Sequence, residues 1–173
     1  MWQINHHPIN DADPAAIPEE ESFIHSIGGA GLFAEKSREP CIRFCERNRD
    51  RVLSCLPNSL ADVVRPTSFG MMLDLVKAHG GCRLYLPTRH EKFFHRTGLY
   101  VPEPIYIRWR DTADVNGQID IPNVWGLLQA LRRAAIRTAL ARGWSPDALH
   151  STFGISRRQI KAYLLDEHET APS

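Results

Sequence analysis

The sequence predicts a mainly α-helical protein with a small β element: a helical N-terminal region ending in a short glycine-led strand or hairpin, then a C-terminal helix-turn-helix. Three observations lead there. Apolar residues recur at helical spacing through much of residues 40–79 and 123–142. The stretch His79-Gly80-Gly81-Cys82-Arg83-Leu84-Tyr85-Leu86-Pro87 changes abruptly from a helical period to the two-residue alternation of a strand. Near the C-terminus, two short helical patterns are separated by one tight turn at Gly154. With 173 residues the chain can bury a core without covalent staples, and its four cysteines suit reduced thiols. No basic N-terminus precedes an apolar run, so neither a secretory signal nor a membrane span is expected, and the expected location is cytoplasmic.

Residues 1–39 read as an acidic, flexible arm, most clearly over 1–22, where Pro8, Pro14 and Pro18 mix with acids and apolar periodicity is weak. A helix is expected over about 40–56, with Pro40 in its first turn and Cys41, Phe44, Cys45, Val52, Cys55 and Leu56 on its inner face. Pro57-Asn58-Ser59 breaks it and caps a short helix through Val64; Pro66-Thr67-Ser68 resets the chain. Phe69, Met72, Leu73 and Val76 then form the core face of another helix. Gly80 is expected to end it in the left-handed conformation, with Gly81 adding freedom to turn. In the strand, Cys82, Leu84 and Leu86 face one way, and Arg83, Tyr85 and Pro87 the other, a pattern that fits an edge. A lone strand is unstable, so its partner must come from elsewhere in the chain or from a second copy.

Within 88–122, Ile105-Tyr106-Ile107-Arg108-Trp109-Arg110 alternates like a strand, and Asn116-Gly117 marks a turn before Gln118–Ile121, so a second hairpin is expected. Trp109 is expected in the core. Residues 123–142 form a long helix with Leu127, Leu128, Leu131, Ala134, Ala135 and Ala139 inside, ended by Gly143.

In Trp144-to-Leu164, Ser145 caps a helix with Pro146 and Asp147 in its first turn, and this helix stops near Gly154. Ser156-Arg157-Arg158-Gln159 is an S-x-x-Q capping box opening the next helix, whose Ile160, Tyr163 and Leu164 can face inward. Leu149, Phe153, Ile155 and Ile160 fill the angle between the two. The second helix would present Ser156, Arg157, Arg158, Gln159 and Lys161 where a major groove is met; Arg suits guanine, Gln suits adenine and Lys suits phosphate. The charge distribution agrees with an anionic partner. The net charge is only +1, but residues 127–165 hold seven basic residues against Asp147 alone, while residues 1–40 hold seven acids against Lys36 and Arg38. Arg132, Arg133 and Arg137 form either a solvated face or additional phosphate contacts.

Residues 59–87 and 130–164 resemble the Mor family of phage transcription activators, the middle operon regulators of Mu-like phages and their relatives. The matching residues are Gly80, Gly81, Tyr85, Leu86 and Pro87, then Gly154, Ser156, Arg158, Gln159 and Ile160. The resemblance implies an activator that binds a repeated promoter site as a homodimer, contacts RNA polymerase and works at the bacterial nucleoid. It implies a dimerisation region over 40–122, joined through the strand residues Gly80, Gly81, Arg83, Tyr85 and Pro87, and a DNA-binding region over 123–166 that includes Arg133 and Arg137, followed by a tail over 167–173. The 88–122 insert and the N-terminal arm depart from the family pattern; the insert could instead supply a ribbon that pairs with the 82–86 strand.

Enzyme chemistry is not expected. His90 and His95 lie five apart in His90-to-His95, about 140° apart on a helix, whereas a zincin helix needs a spacing of four. Cys41, Cys45 and Cys55 lie on an apolar stripe without the close pairing of a zinc site. No phosphate loop, nucleophile elbow or tuned carboxylate pair is visible, no cofactor is implied, and His6-His7 reads as solvated. The alternative to a regulator is a protein-interaction adaptor, such as a phage inhibitor of a host factor, that reuses the helical scaffold.

Overall fold

The computed structural model describes residues 29–169. A 3-10 turn at Gly29–Phe33 leads into α1 (Glu35–Arg47), α2 (Arg49–Cys55), α3 (Asn58–Val64) and α4 (Phe69–His79). Next come β1 (Arg83–Tyr85), α5 (His90–Thr97), α6 (Glu103–Thr112) and β2 (Gln118–Asp120). The chain ends in α7 (Val124–Ala141), α8 (Pro146–Phe153) and α9 (Arg157–Glu169). It is mainly helical with one small antiparallel two-stranded sheet, as its sequence indicates.

The apolar stripe of α7 organises the core. Leu127, Leu131, Ala134, Ala135 and Ala139 are buried, as expected, and α2, α4, the 3-10 turn and α8 all pack on this helix. Asn123 starts it by accepting a bond from the Gly126 amide at 2.8 Å, and Gly143 follows its end with φ +79°. On the far side of α4, α3 packs against α6, where Trp109 is fully buried and donates its indole N–H to the Ser59 carbonyl at 3.0 Å. The expected helix-turn-helix side chains Leu149, Phe153, Ile155 and Ile160 belong to the same continuous core.

Several expectations are corrected. The arm does not extend to residue 39: Leu32 is buried, the 3-10 turn packs on α1 and α7, and α1 begins at Glu35, whose charge suits a helix N-terminus. Residues 1–28 and 170–173 lie outside the described residues. Pro40 is inside α1, not in its first turn. The single helix expected over 40–56 is two, because Asn48 closes α1 with its side-chain amide on the Phe44 carbonyl at 2.9 Å and opens α2. At the far end, α9 continues through Glu169, past the boundary expected at 166.

Residues 105–110 are helical, not a strand. Six residues of alternation are too few to separate the two periods, and the helix wins by burying Ile105, Tyr106 and Trp109 together, whereas the strand would have buried Ile107, which is half exposed. Pro102 and Pro104, read as strand flanks, sit at the helix start, where a missing N–H costs nothing.

The glycines exchange roles. Gly80 is not left-handed; its φ is −60°, and it is needed because a Cβ there would lie 2.4 Å from the Val76 carbonyl oxygen. Gly81 takes the positive φ, +81°, and its amide bonds the Ile121 carbonyl at 2.8 Å.

β1 pairs within its own chain, with a strand from the 88–122 insert, the alternative to pairing with a second copy. Arg83, Leu84 and Tyr85 lie opposite Asp120, Ile119 and Gln118. The Asp114–Gly117 turn delivers β2: the Asp114 carboxylate accepts the Asn116 and Gln118 amides at 2.8 and 2.9 Å, and Gly117 takes φ +67°. The exposed residues of this stretch have intrachain neighbours. Arg83 makes two bonds to Asp120 at 2.7 and 3.2 Å, Tyr85 lies under the Arg96 guanidinium, and the Pro87 carbonyl accepts the Tyr106 hydroxyl.

Replacing Gly80 by Ala should cost about 1–3 kcal/mol in urea unfolding, because the helix backbone must shift to admit the Cβ. Hydrogen bonds from Arg83, aided by its charge, hold the Asp120 carboxyl below the usual aspartate range, with slight burial opposing. A lowered folded pKa gives stability that is present above about pH 4 and lost as pH falls through the folded value. Asp120→Asn should therefore melt lower than the parent at pH 7, and the two melting curves should converge below about pH 4.

Candidate nucleic-acid interface

The C-terminal unit is built as a rigid corner. The Ser145 hydroxyl accepts the Ala148 amide at 3.2 Å, which starts α8 with Pro146 in its first turn. Gly154, with φ +61°, stops α8 and bonds the His150 carbonyl through its amide at 2.8 Å. Buried Leu149, Phe153, Ile155 and Ile160 fill the angle. Three further contacts hold the turn: the His150 ring Nδ1 bonds the Ile155 carbonyl at 2.9 Å, Arg132 on α7 donates to the Phe153 carbonyl, and the Trp144 ring packs on Phe153. The Arg132 bond carries no spacing signal in the sequence, because it depends on where α7 passes.

The capping box forms. The Gln159 amide donates to the Ser156 hydroxyl at 3.3 Å, and the Gln159 side-chain oxygen accepts the Ser156 amide at 2.8 Å and its hydroxyl at 3.0 Å. This revises the role expected of Gln159. Reading adenine takes both its oxygen and its amide nitrogen, and here the oxygen is already engaged at the cap.

Arg157, Arg158 and Lys161 remain as the exposed cationic tip. At spacings of three and four they project from adjoining faces of the first turns of α9, where the positive end of the helix dipole adds to their charge. Arg157 reaches Asp147 at 3.4 Å, but both side chains are more than four-fifths exposed, so the pair is weak and exchangeable. Neither Arg158 nor Lys161 has an ion pair among the described residues.

Of Arg133 and Arg137, expected with this group, Arg133 is exposed and Arg137 half-buried, and both reach the end of α2. Arg133 donates to the Cys55 carbonyl at 3.3 Å and Arg137 approaches the Cys55 thiol at 3.8 Å, tying α7 to the end of α2. Leu164, expected to face inward, is 43% exposed, because α9 packs chiefly on the small α8.

Other places in the molecule offer less chemistry. Among the described residues no group of His, Cys, Asp or Glu is arranged to hold a metal ion. Cys41 and Cys45 are fully buried, and the hydrogen bond that the Cys45 thiol donates to Cys41, together with burial, pushes that thiol well up, which keeps it protonated. A cleft of about 340 Å³ between α3, α4 and α6 is lined by apolar groups such as Val63, Leu75 and Trp109; its one charged group, Asp74, is bound by Arg38 at 2.8 Å. No described helix is long and apolar enough to cross a membrane. No family model, curated protein or solved structure matches the chain.

Gln159→Ala should lower stability by about 0.5–1 kcal/mol by opening the box, and Gln159→Glu should keep it, since both Glu and Gln close such caps. Thermal melting compares the three forms directly.

Proposed function

We propose that this protein is a DNA-binding transcription regulator of phage or prophage type, similar to the Mor activators. One observation carries the reading: a helix N-terminus bearing Arg157, Arg158 and Lys161, exposed and almost free of acids, is held at a fixed angle by a turn at Gly154 and the buried side chains between the two helices. A rigid cationic helix end is what major-groove entry requires, because phosphate contacts set register and one or two side chains then reach base edges. Arg158 is the candidate base reader, since its guanidinium offers two parallel donors to guanine. Lys161 and Arg157 are phosphate anchors, Ser156 and Gln159 shape the tip, and Arg133 and Arg137 belong to the scaffold.

Action as a homodimer on a repeated site, activation, and contact with RNA polymerase follow from the resemblance. With β1 already paired to β2, a second copy would join through another surface than the β1–β2 seam. The adaptor alternative draws on exposed apolar groups, among them Leu165 at 69% on α9 and Trp125 at 59% on α7.

Binding to duplex DNA should weaken steeply with salt, as phosphate contacts release counterions. Arg158→Ala should cost about 1–3 kcal/mol on a specific site and relax preference at one base pair, whereas Lys161→Ala should weaken all sequences alike. Footprinting upstream of the gene and its neighbours, followed by anisotropy titrations on the protected sequence, checks this. Capture of a host protein without any DNA shift would favour the adaptor.

A further inference from the structure

The core stripe of α4 is not its only apolar face. Met71, Leu75 and Ala78 lie with Asp74 at spacings of three and four along a second face, and a helix apolar on two sides needs cover on both. Here the cover is partial. α3 packs on α4 and on α6, but α4 and α6 do not pack closely on one another, and the cleft of about 340 Å³ is the gap between them. Val63, Leu75, Val101, Ile105 and Trp109 form its floor, none of them more than 4% exposed. Groups recessed in this way lie out of reach of a flat protein surface but within reach of a small molecule. Facing a gap, they also lack the dispersion partners that an occupant would restore.

The lining narrows the chemistry of that occupant. A dry apolar cavity of about 150 Å³ holds one benzene ring, so this one has room for roughly two rings. The Trp109 N–H is committed to the Ser59 carbonyl, which leaves its ring as the contact, and Met71 brings a polarizable thioether; both favour an aromatic guest. Charge narrows it further. Asp74 is the only charged group of the lining, and Arg38 binds both of its oxygens, at 2.8 and 3.0 Å, so the pair brings no net charge to the mouth. An ionic guest would leave water for an apolar floor without a free opposite charge to meet. A donor is different: each carboxylate oxygen takes one bond from Arg38 and can accept another, and the Asp74 side chain is 63% exposed.

We propose that the cleft between α3, α4 and α6 binds a small neutral aromatic molecule of about two fused rings, whose single N–H or O–H donor meets the Asp74 carboxylate at the mouth. The site is independent of the regulator reading. Its occupant would touch α4 and α6 at once and so tie the 88–122 insert to the N-terminal helices.

Three matched probes test this on the full chain: indole, N-methylindole, which lacks the donor, and indole-3-carboxylate, which adds a negative charge. Followed by methyl-detected NMR, indole should bind with a dissociation constant on the order of 0.1–1 mM. It should shift the methyls of Met71, Leu75, Leu99, Val101 and Ile105 and not those of Leu165. N-methylindole should bind about tenfold more weakly at the same methyls, and the carboxylate more weakly still.

Two substitutions at exposed positions complete the test. Asp74→Ala should weaken indole by about the same tenfold and leave N-methylindole unchanged. Ala78→Trp, which sets a ring in the mouth, should abolish both. Absence of shifts at about 5 mM indole, or shifts confined to Leu165 and other exposed apolar groups, would overturn the site. Equal affinity for indole and N-methylindole would overturn the Asp74 contact, and tighter binding of the carboxylate would overturn the preference for a neutral guest.

Discussion

Burial of the α7 stripe is the interaction on which the rest depends. Leu127 and Leu131 are out of water, each contributing about 1.5–3 kcal/mol, and the small buried Ala130, Ala134, Ala135 and Ala139 leave room for the helices that pack on α7. Polar ties reinforce the same seam: Arg133 and Arg137 engage Cys55, and Thr138 donates to Asn48 at 3.3 Å. Because the underside of α7 is committed in this way, α8 can rest on it as on a fixed bracket. The N-terminal helices and the C-terminal corner thus share one core.

The corner converts that stability into geometry. A left-handed glycine reverses the chain in one residue, four buried side chains set the angle, and a closed capping box removes the slack from the first turn of α9. Side chains at such a turn differ in what they have left to offer. Gln159 uses its oxygen locally, and Arg157 leans toward Asp147, whereas Arg158 and Lys161 are held out in solvent. Fewer side chains are therefore left uncommitted at this turn than the basic composition of residues 127–165 implies.

The insert completes the scaffold at the other end. Residues 88–122 contribute a helix whose Trp109 closes the core against α3, and a strand that satisfies β1. Three residues of this stretch have neighbours in the insert: Asp120 for Arg83, Arg96 for Tyr85, Tyr106 for Pro87.

Local chemistry was readable from the chain by itself. The caps at Ser68, Asn123 and Ser145, the Ser156–Gln159 box, the turn at Gly154 and the inner stripe of α7 all follow from rules that act within four residues, so their sequence spacing is their structure. Long-range facts were readable only in part: Trp109 in the core and, as one of two alternatives, a ribbon from the insert beside the 82–86 strand. The period of Ile105–Arg110 was decided by which face α3 could cover, the partner of β1 by a strand 35 residues further on, and the division of the arginines by the path of α7 past Cys55. Those outcomes depend on surfaces that come into existence only once the helices have packed, and neither charge nor spacing along the chain records them.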